Sequence, residues 1–224
     1  MRKAGREKHA VNGSHAAMIC CFTLGTVLLL SALFLVLYNL HADRKGGEEA
    51  GSILAEMKQE LPDYVPESTE QPTGEAYDLY AEYEEPTIPE TETLLIGDKA
   101  YIGYLSIPLL GIELPVAADW SYPALKTSPC RYSGGLYTDD LVIAAHNYAT
   151  HFGRLRELHT DDELIFTDAA GKPHVYRVTS IEEIPGTAAP VMQSGAAESW
   201  DLTLFTCTLS GQSRVTIRAE RAEQ

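Results

Sequence analysis

The sequence predicts a mainly β domain at its C-terminal end, closed as a barrel or packed as a sandwich, behind one transmembrane helix and an acidic stalk. Three observations predict this. Residues 16–40 are almost unbroken hydrocarbon. Residues 41–95 are rich in Pro, Glu and Tyr and lack sustained apolar periodicity. From Tyr101 onward short apolar runs alternate with turn residues, the pattern of short strands joined by tight connections. A chain of 224 residues has room for one sizeable domain with such accessory segments.

The elements follow in order. Residues 1–15 are basic, carrying Arg2, Lys3, Arg6 and Lys8 against Glu7. The run 16–40 contains Ile19, Phe22, Leu28, Leu33 and Val36 and exceeds the roughly 20 residues that cross a bilayer as a helix. Basic residues ahead of it favour a cytoplasmic N-terminus, with everything after Leu40 outside. A cleaved signal peptide is the rival reading, but its apolar core is typically about 7–15 residues long and ends at a small-residue site. Here the run is longer and Ala42 stands alone, so an uncleaved anchor is favoured.

Residues 41–95 carry 15 acidic side chains against Arg44, Lys45 and Lys58. Gly46 and Gly47 open this segment, and Pro62, Pro66, Pro72, Pro86 and Pro89 punctuate it. Such a composition buries too little apolar surface to offset its ordering entropy, so it is expected to be an extended, self-repelling stalk, with at most a short helix over 53–61. A lid built from Tyr77, Tyr80 and Tyr83 is the sharper alternative, and composition favours the stalk. In residues 96–224, strands are expected at 102–107, 112–116, 141–145, 163–167, 174–184, 202–206 and 214–220. Gly111, Gly134-Gly135, Gly171 and Gly211 supply turns between them. A short helical turn is expected over 152–158.

The formal net charge of −15 excludes nucleic acid as a general partner, because phosphate binding needs a basic face. Of the four cysteines, Cys20 and Cys21 fall in the apolar run as small hydrophobes. Cys130 and Cys207 are too few and too far apart to form a disulfide framework. His151 and His159 could join His146 in a metal site, but no carboxylate or Cys at metal-ligand spacing completes one, so no metal site is expected there.

Three residues carry possible chemistry. His146 ends the apolar run 141–145, Cys207 ends the run 202–206, and Arg214 opens the strand after a short loop. If the last two strands form a hairpin, Cys207 and Arg214 face one another across its mouth. A fixed positive charge there favours the nucleophilic thiolate, and guanidinium donors suit a developing oxyanion. Each residue alone has a blander reading: a small buried thiol, a surface or core imidazole, a solvated strand-start cation.

The combination resembles the sortase family. Thr203, Leu204, Phe205, Thr206 and Cys207 match its T-L-x-T-C strand in every defined position, and Arg214 follows on the next strand. Ala144-Ala145-His146-Asn147 precedes them, although many sortases carry Gly where this chain has Ala145. Gly103 to Pro108 and Ile112 to Pro115 look like the start of a sortase barrel, and the resemblance spans about residues 101–221.

The resemblance implies an eight-stranded barrel in a Gram-positive-type envelope. It implies an enzyme that cleaves an LPxTG-like sorting signal of surface proteins through a thioacyl intermediate on Cys207. The acyl group then passes to an amine of a cell-wall precursor or a pilin. His146 would serve as acid and base, Arg214 as oxyanion donor, and Thr206 as a candidate for touching substrate. The stalk has no Asp-Pro-aromatic lid motif and no second apolar run follows, which speaks against a pilus-polymerising member. Rival functions are a cell-wall cysteine peptidase or amidase, an L,D-transpeptidase, and a non-enzymatic β binding domain displayed on a stalk. Known amidases of that class place Cys before His. L,D-transpeptidases place His and Gly just ahead of the Cys, a pattern that Phe205-Thr206-Cys207-Thr208 does not match.

Overall fold

The computed structural model describes residues 4–64, 91–192 and 200–222. It divides into two compact units, Met1–Arg44 and Lys45–Gln224. A single helix, α1 (Ala4–Glu60), contributes to both. Within the first unit its apolar side chains, Phe22, Leu29 and Phe34 among them, are exposed. By length and composition this helix can cross a membrane.

Over residues 41–60 the structure differs from the expected extended stalk. Residues 41–60 are helical, and Gly46 and Gly47 lie inside α1 rather than opening an extended segment. Ala50, Leu54 and Met57 recur at helical spacing on one face, and all three are buried in the second unit. Residues 65–90, including Tyr77, Tyr80 and Tyr83, lie outside the described residues. After them, β1 (Leu94–Ile96) forms a hairpin with β2 (Lys99–Ile107).

All seven expected strands are present, β5 with the expected ends and the others with shifted ones: β2, β3 (Ile112–Ala117), β5 (Leu141–Ala145), β6 (Glu163–Asp168), β7 (Pro173–Pro185), β8 (Leu202–Cys207) and β9 (Ser213–Arg221). Added to them are β1, the short strand β4 (Cys130–Ser133) and a one-turn helix, α2 (Tyr122–Leu125). The expected turn over 152–158 is a 3-10 turn at Leu155–Glu157.

The sheet order is β1-β2-β3-β4-β5-β8-β9-β7-β6, and β6 returns to pair with β2. Eight strands therefore close into a barrel, with β1 as an extra edge. Closure relies on a bend in β2 at Gly103, where φ is 141°. A Cβ there would sit 2.0 Å from the Thr167 carbonyl oxygen on β6, so only glycine lets the two strands meet. Inward-facing Leu105, Ile143, Phe166, Val178, Leu204 and Ile217 fill the barrel. A second cluster, with Met57, Tyr101, Leu125, Cys130 and Ala144, joins the C-terminal part of α1 to the barrel's outer face.

One pairing decides where the chemistry lies. β5 and β8 are adjacent and parallel, although 56 residues separate the end of one from the start of the other. Parallel neighbours need a long crossover, supplied here by β6, β7 and the segments around them. Their C-terminal ends consequently emerge at the same rim.

Candidate active site

Ala145 on β5 is in register with Thr206 on β8, so the next residues, His146 and Cys207, leave adjacent strand ends together. Antiparallel pairing of β8 with β9 sets Cys207 directly opposite Arg214. All three side chains line one cleft of about 270 Å³. The hairpin expected from the sequence is present, and the fold adds His146 to it. His146 and Arg214 are half-buried while Cys207 is exposed.

Each side chain is held differently. The Nη1 of Arg214 donates to the Gly211 and Ser213 carbonyls, both at 3.0 Å, pinning the guanidinium to its own hairpin loop. Its Nε and Nη2 make no hydrogen bond among the described residues. The His146 ring stacks on Tyr148, with centroids 4.9 Å apart and planes 28° from parallel. Burial lowers the imidazole pKa below its ordinary value, and the positive charge of Lys126 adds to that. His146 and Cys207 share the cleft without a hydrogen bond between them, an arrangement common in unliganded acyl-transfer sites.

Thr206 takes a different place from the one expected. It is buried, it does not line the cleft, and its hydroxyl donates to the Ala145 carbonyl at 2.9 Å. Its work is to fasten β8 to β5 immediately beneath His146 and Cys207. Cys130 is a buried free thiol whose pKa is pushed up to about 11 by burial, so at neutral pH it is protonated and unreactive. His151 is buried behind Tyr148, and His159 faces solvent beside Asp162.

The sequence reading missed the cleft's aromatic wall. Trp120 lies 5.0 Å from Tyr122 and 6.0 Å from Tyr132, and Tyr132 lies 5.2 Å from Phe205, each pair meeting edge to face. Leu125 and Met192 complete the apolar lining. One signal was available: Phe205 precedes Cys207 by two residues on a strand and so shares its face. On the other side of Cys207 is a second, more polar groove of about 400 Å³, lined by Asn147, Arg156, Glu183, Thr208 and Ser210 among others. Arg156 and Glu183 form an ion pair across it at 2.6 Å. The thiol therefore stands on a ridge between an apolar cleft and a polar one.

A β-barrel that presents a thiol, an imidazole and a guanidinium at one rim, between two grooves, has the parts of a thiol acyl-transfer site. The family model described as Sortase domain matches residues 105–222, more than half of the chain. The chain belongs to the sortase family, whose members are cysteine transpeptidases. Among solved structures it is similar to sortase C1 from Streptococcus agalactiae, at 23% identity over 58% of this chain and 72% of that one, with a TM-score of 0.51. It is also similar to Clostridium perfringens sortase C, determined with the C-terminal cell wall sorting motif, at 19% identity over 79% and 91% of the two chains, with a TM-score of 0.50. At these identities the likeness is one of fold. No curated protein matches the chain.

Proposed function

We propose that this sortase is anchored in the membrane by α1, with its N-terminus in the cytoplasm and its barrel outside, and that it joins surface proteins to an amine through Cys207. The observation that carries the reading is the register. Cys207 opposes Arg214 across one hairpin and leaves the sheet beside His146, and all three line one cleft. The basic N-terminal residues support the orientation.

The donor is an extended sorting peptide of the LPxTG type, lying in the apolar cleft against Tyr132 and Phe205. The Cys207 thiolate attacks the carbonyl carbon after the signal's threonine. Negative charge then develops on the carbonyl oxygen, where the free Nε and Nη2 of Arg214 are the donors at hand. As the intermediate collapses, the C–N bond breaks and His146 protonates the departing amine, leaving a thioester on Cys207. An incoming amine from a cell-wall precursor or a pilin lysine attacks that thioester. It gives a proton to His146 and expels the thiolate, so the product is a new amide. The polar groove beyond Cys207 suits the departing and arriving amines, because the apolar cleft is filled by the acyl half of the substrate.

Intact-mass measurement tests this directly. The full chain in detergent micelles, incubated with a sorting peptide and no amine, is expected to gain the mass of the acyl fragment on Cys207, and added amine is expected to discharge it as an amide. A folded protein that never forms the adduct across a panel of sorting peptides, and whose Cys207 also resists alkylation, would refute the assignment in favour of a binding domain.

A further inference from the structure

Helix α1 carries adjacent glycines in its interior, where each costs about 1 kcal/mol relative to alanine. Packing accounts for them. A Cβ on Gly46 would lie 2.9 Å from the Lys126 carbonyl oxygen and 3.2 Å from the edge of the Tyr148 ring. One on Gly47 would lie 2.8 Å from the Thr150 side chain. Gly51, in the same helix, has nothing within 4 Å of an added Cβ. The Gly46–Gly47 notch therefore seats the helix on the loop after α2 and on the segment that follows β5.

Both contacts of Gly46 end on neighbours of His146. Tyr148 stacks on the His146 ring. Lys126 is the cation whose field reaches that imidazole. Among the described residues the ring nitrogens of His146 make no hydrogen bond, so ring stacking takes the place of the orienting partner that general bases elsewhere usually have. A displacement of Tyr148 is therefore transmitted to His146 without a polar contact to resist it.

We infer that the Gly46–Gly47 notch and Tyr148 act together as a positioning device for His146, the close approach of α1 holding the tyrosine ring against the imidazole and so fixing its plane at the Cys207 cleft. This rests on the reading of His146 as the acid–base group. Tyr148 is a positioning residue, acting through His146. A methyl group at Gly46 must push Lys126 or Tyr148 by a few tenths of an ångström to reach ordinary contact. A full ångström of misplacement costs about 100-fold, so a smaller shift is expected to cost about tenfold.

The test uses the full chain in detergent micelles, with Gly46→Ala, Tyr148→Leu, Tyr148→Phe and the double variant Gly46→Ala/Tyr148→Leu. Gly51→Ala is the control, since it adds the same helix propensity without a contact. Two quantities are measured: amide formation from a sorting peptide and an amine, and the pH titration of His146 followed by NMR of labelled histidine, which needs no substrate. Lys126, Cys207 and Arg214 are the same in every variant, and the Tyr148 hydroxyl, the other titratable group beside the ring, is absent from Tyr148→Leu and Tyr148→Phe alike.

Gly46→Ala and Tyr148→Leu are each expected to lower kcat about tenfold with KM little changed. The same two variants are expected to move the His146 titration upward, as the loosened ring gains solvent. Tyr148→Phe is expected to recover most of the rate lost in Tyr148→Leu, and Gly51→Ala to match the parent. The double variant is expected to be no worse than Tyr148→Leu alone, because the glycine acts through the ring. Unchanged titration and kcat in Gly46→Ala and Tyr148→Leu would overturn the inference, as would losses that multiply in the double variant. A parent chain that transfers nothing, with the His146 titration still moved upward in Gly46→Ala and Tyr148→Leu, would uphold the positioning contact and remove the transfer reaction instead.

Discussion

Replacing Arg214 with lysine separates two jobs that its guanidinium performs at once. Nη1 is committed to the Gly211 and Ser213 carbonyls, 3.0 Å from each. Nε and Nη2 remain for substrate, and the planar fork fixes their direction once Nη1 is held. A lysine at 214 starts opposite Cys207, so its charge stays near the thiol. Its three donors, however, radiate from a single nitrogen, which cannot rest on the loop carbonyls and meet an oxyanion in the cleft as well. Loss of one oxyanion donor costs about 2.7–4 kcal/mol, or about 10²–10³ in kcat.

Arg214→Lys is accordingly expected to lower kcat about 100-fold, and Arg214→Ala about 1,000-fold. Folding should change little. The loop keeps its own backbone bonds from the Thr208 amide to the Ser213 carbonyl and from the Gly211 amide to the Thr208 carbonyl, both 2.9 Å. The assay is single-turnover formation of the Cys207 adduct, followed by intact mass with no amine present, which isolates the first chemical step from discharge. A lysine variant that acylates within about threefold of the parent, well short of the loss expected for an oxyanion donor, would refute the role given to the fork.

Three further expectations follow from the same geometry. Thr206→Val removes the donor to the buried Ala145 carbonyl and is expected to cost about 1–3 kcal/mol. In calorimetry that corresponds to about 2–4 °C per kcal/mol for a unit of this size, with a fall in kcat as the strand ends carrying His146 and Cys207 loosen. Met57→Ala is expected to cost about 2–5 kcal/mol in urea unfolding of the full chain, because Met57 is fully buried between α1 and the barrel; an unchanged midpoint would show that this part of the helix is not docked. His146 has a lowered pKa from burial and then from Lys126, so below about pH 6.5 the unfolded chain binds that proton more readily than the folded one. Stability tied to this residue is thus complete above that pH and is lost as pH falls through the folded value. His146→Asn is expected to lose less stability than the parent between about pH 7.5 and about pH 5.5, measured by denaturant midpoints, and an equal loss would contradict the assigned burial.

The strands were legible because their signals are local. Runs such as Leu141–Ala145 and Leu202–Cys207 are short, apolar and bounded by turns, and both lie where expected. β4 was not legible. Of its four residues only Cys130 is fully buried, and the strand meets β3 through the single pair Ala117 and Cys130, so its existence depends on neighbours rather than on its own pattern. The helical stretch at 45–60 had a signal that composition concealed. Ala50, Ile53, Leu54, Met57 and Leu61 recur on one helical face. The acidic residues interleaved with them dominate any average over residues 41–95, and the glycine pair looks like a breaker until the surface it packs against is known.

The site divides along the same line. Cys207 and Arg214 are separated by one hairpin, so a strand pattern and a short loop sufficed to place them face to face. His146 joins them only because β8 inserts parallel to β5, a pairing set by burial of both strands in the barrel and carried by no feature of either strand alone. The same pairing explains why Thr206 is a fastener rather than a substrate contact. In β8, Leu202 and Leu204 point into the core while Phe205 and Cys207 belong to the cleft, and Thr206 falls on the inward parity beside β5. A hydroxyl there is buried, and a buried hydroxyl must find a partner. The partner it finds is the carbonyl of the residue before His146. The strand that carries the thiol therefore also enforces the register of the site: one residue supplies the thiol, and its neighbour holds the adjoining strand beside it, so that the imidazole leaves at the same rim.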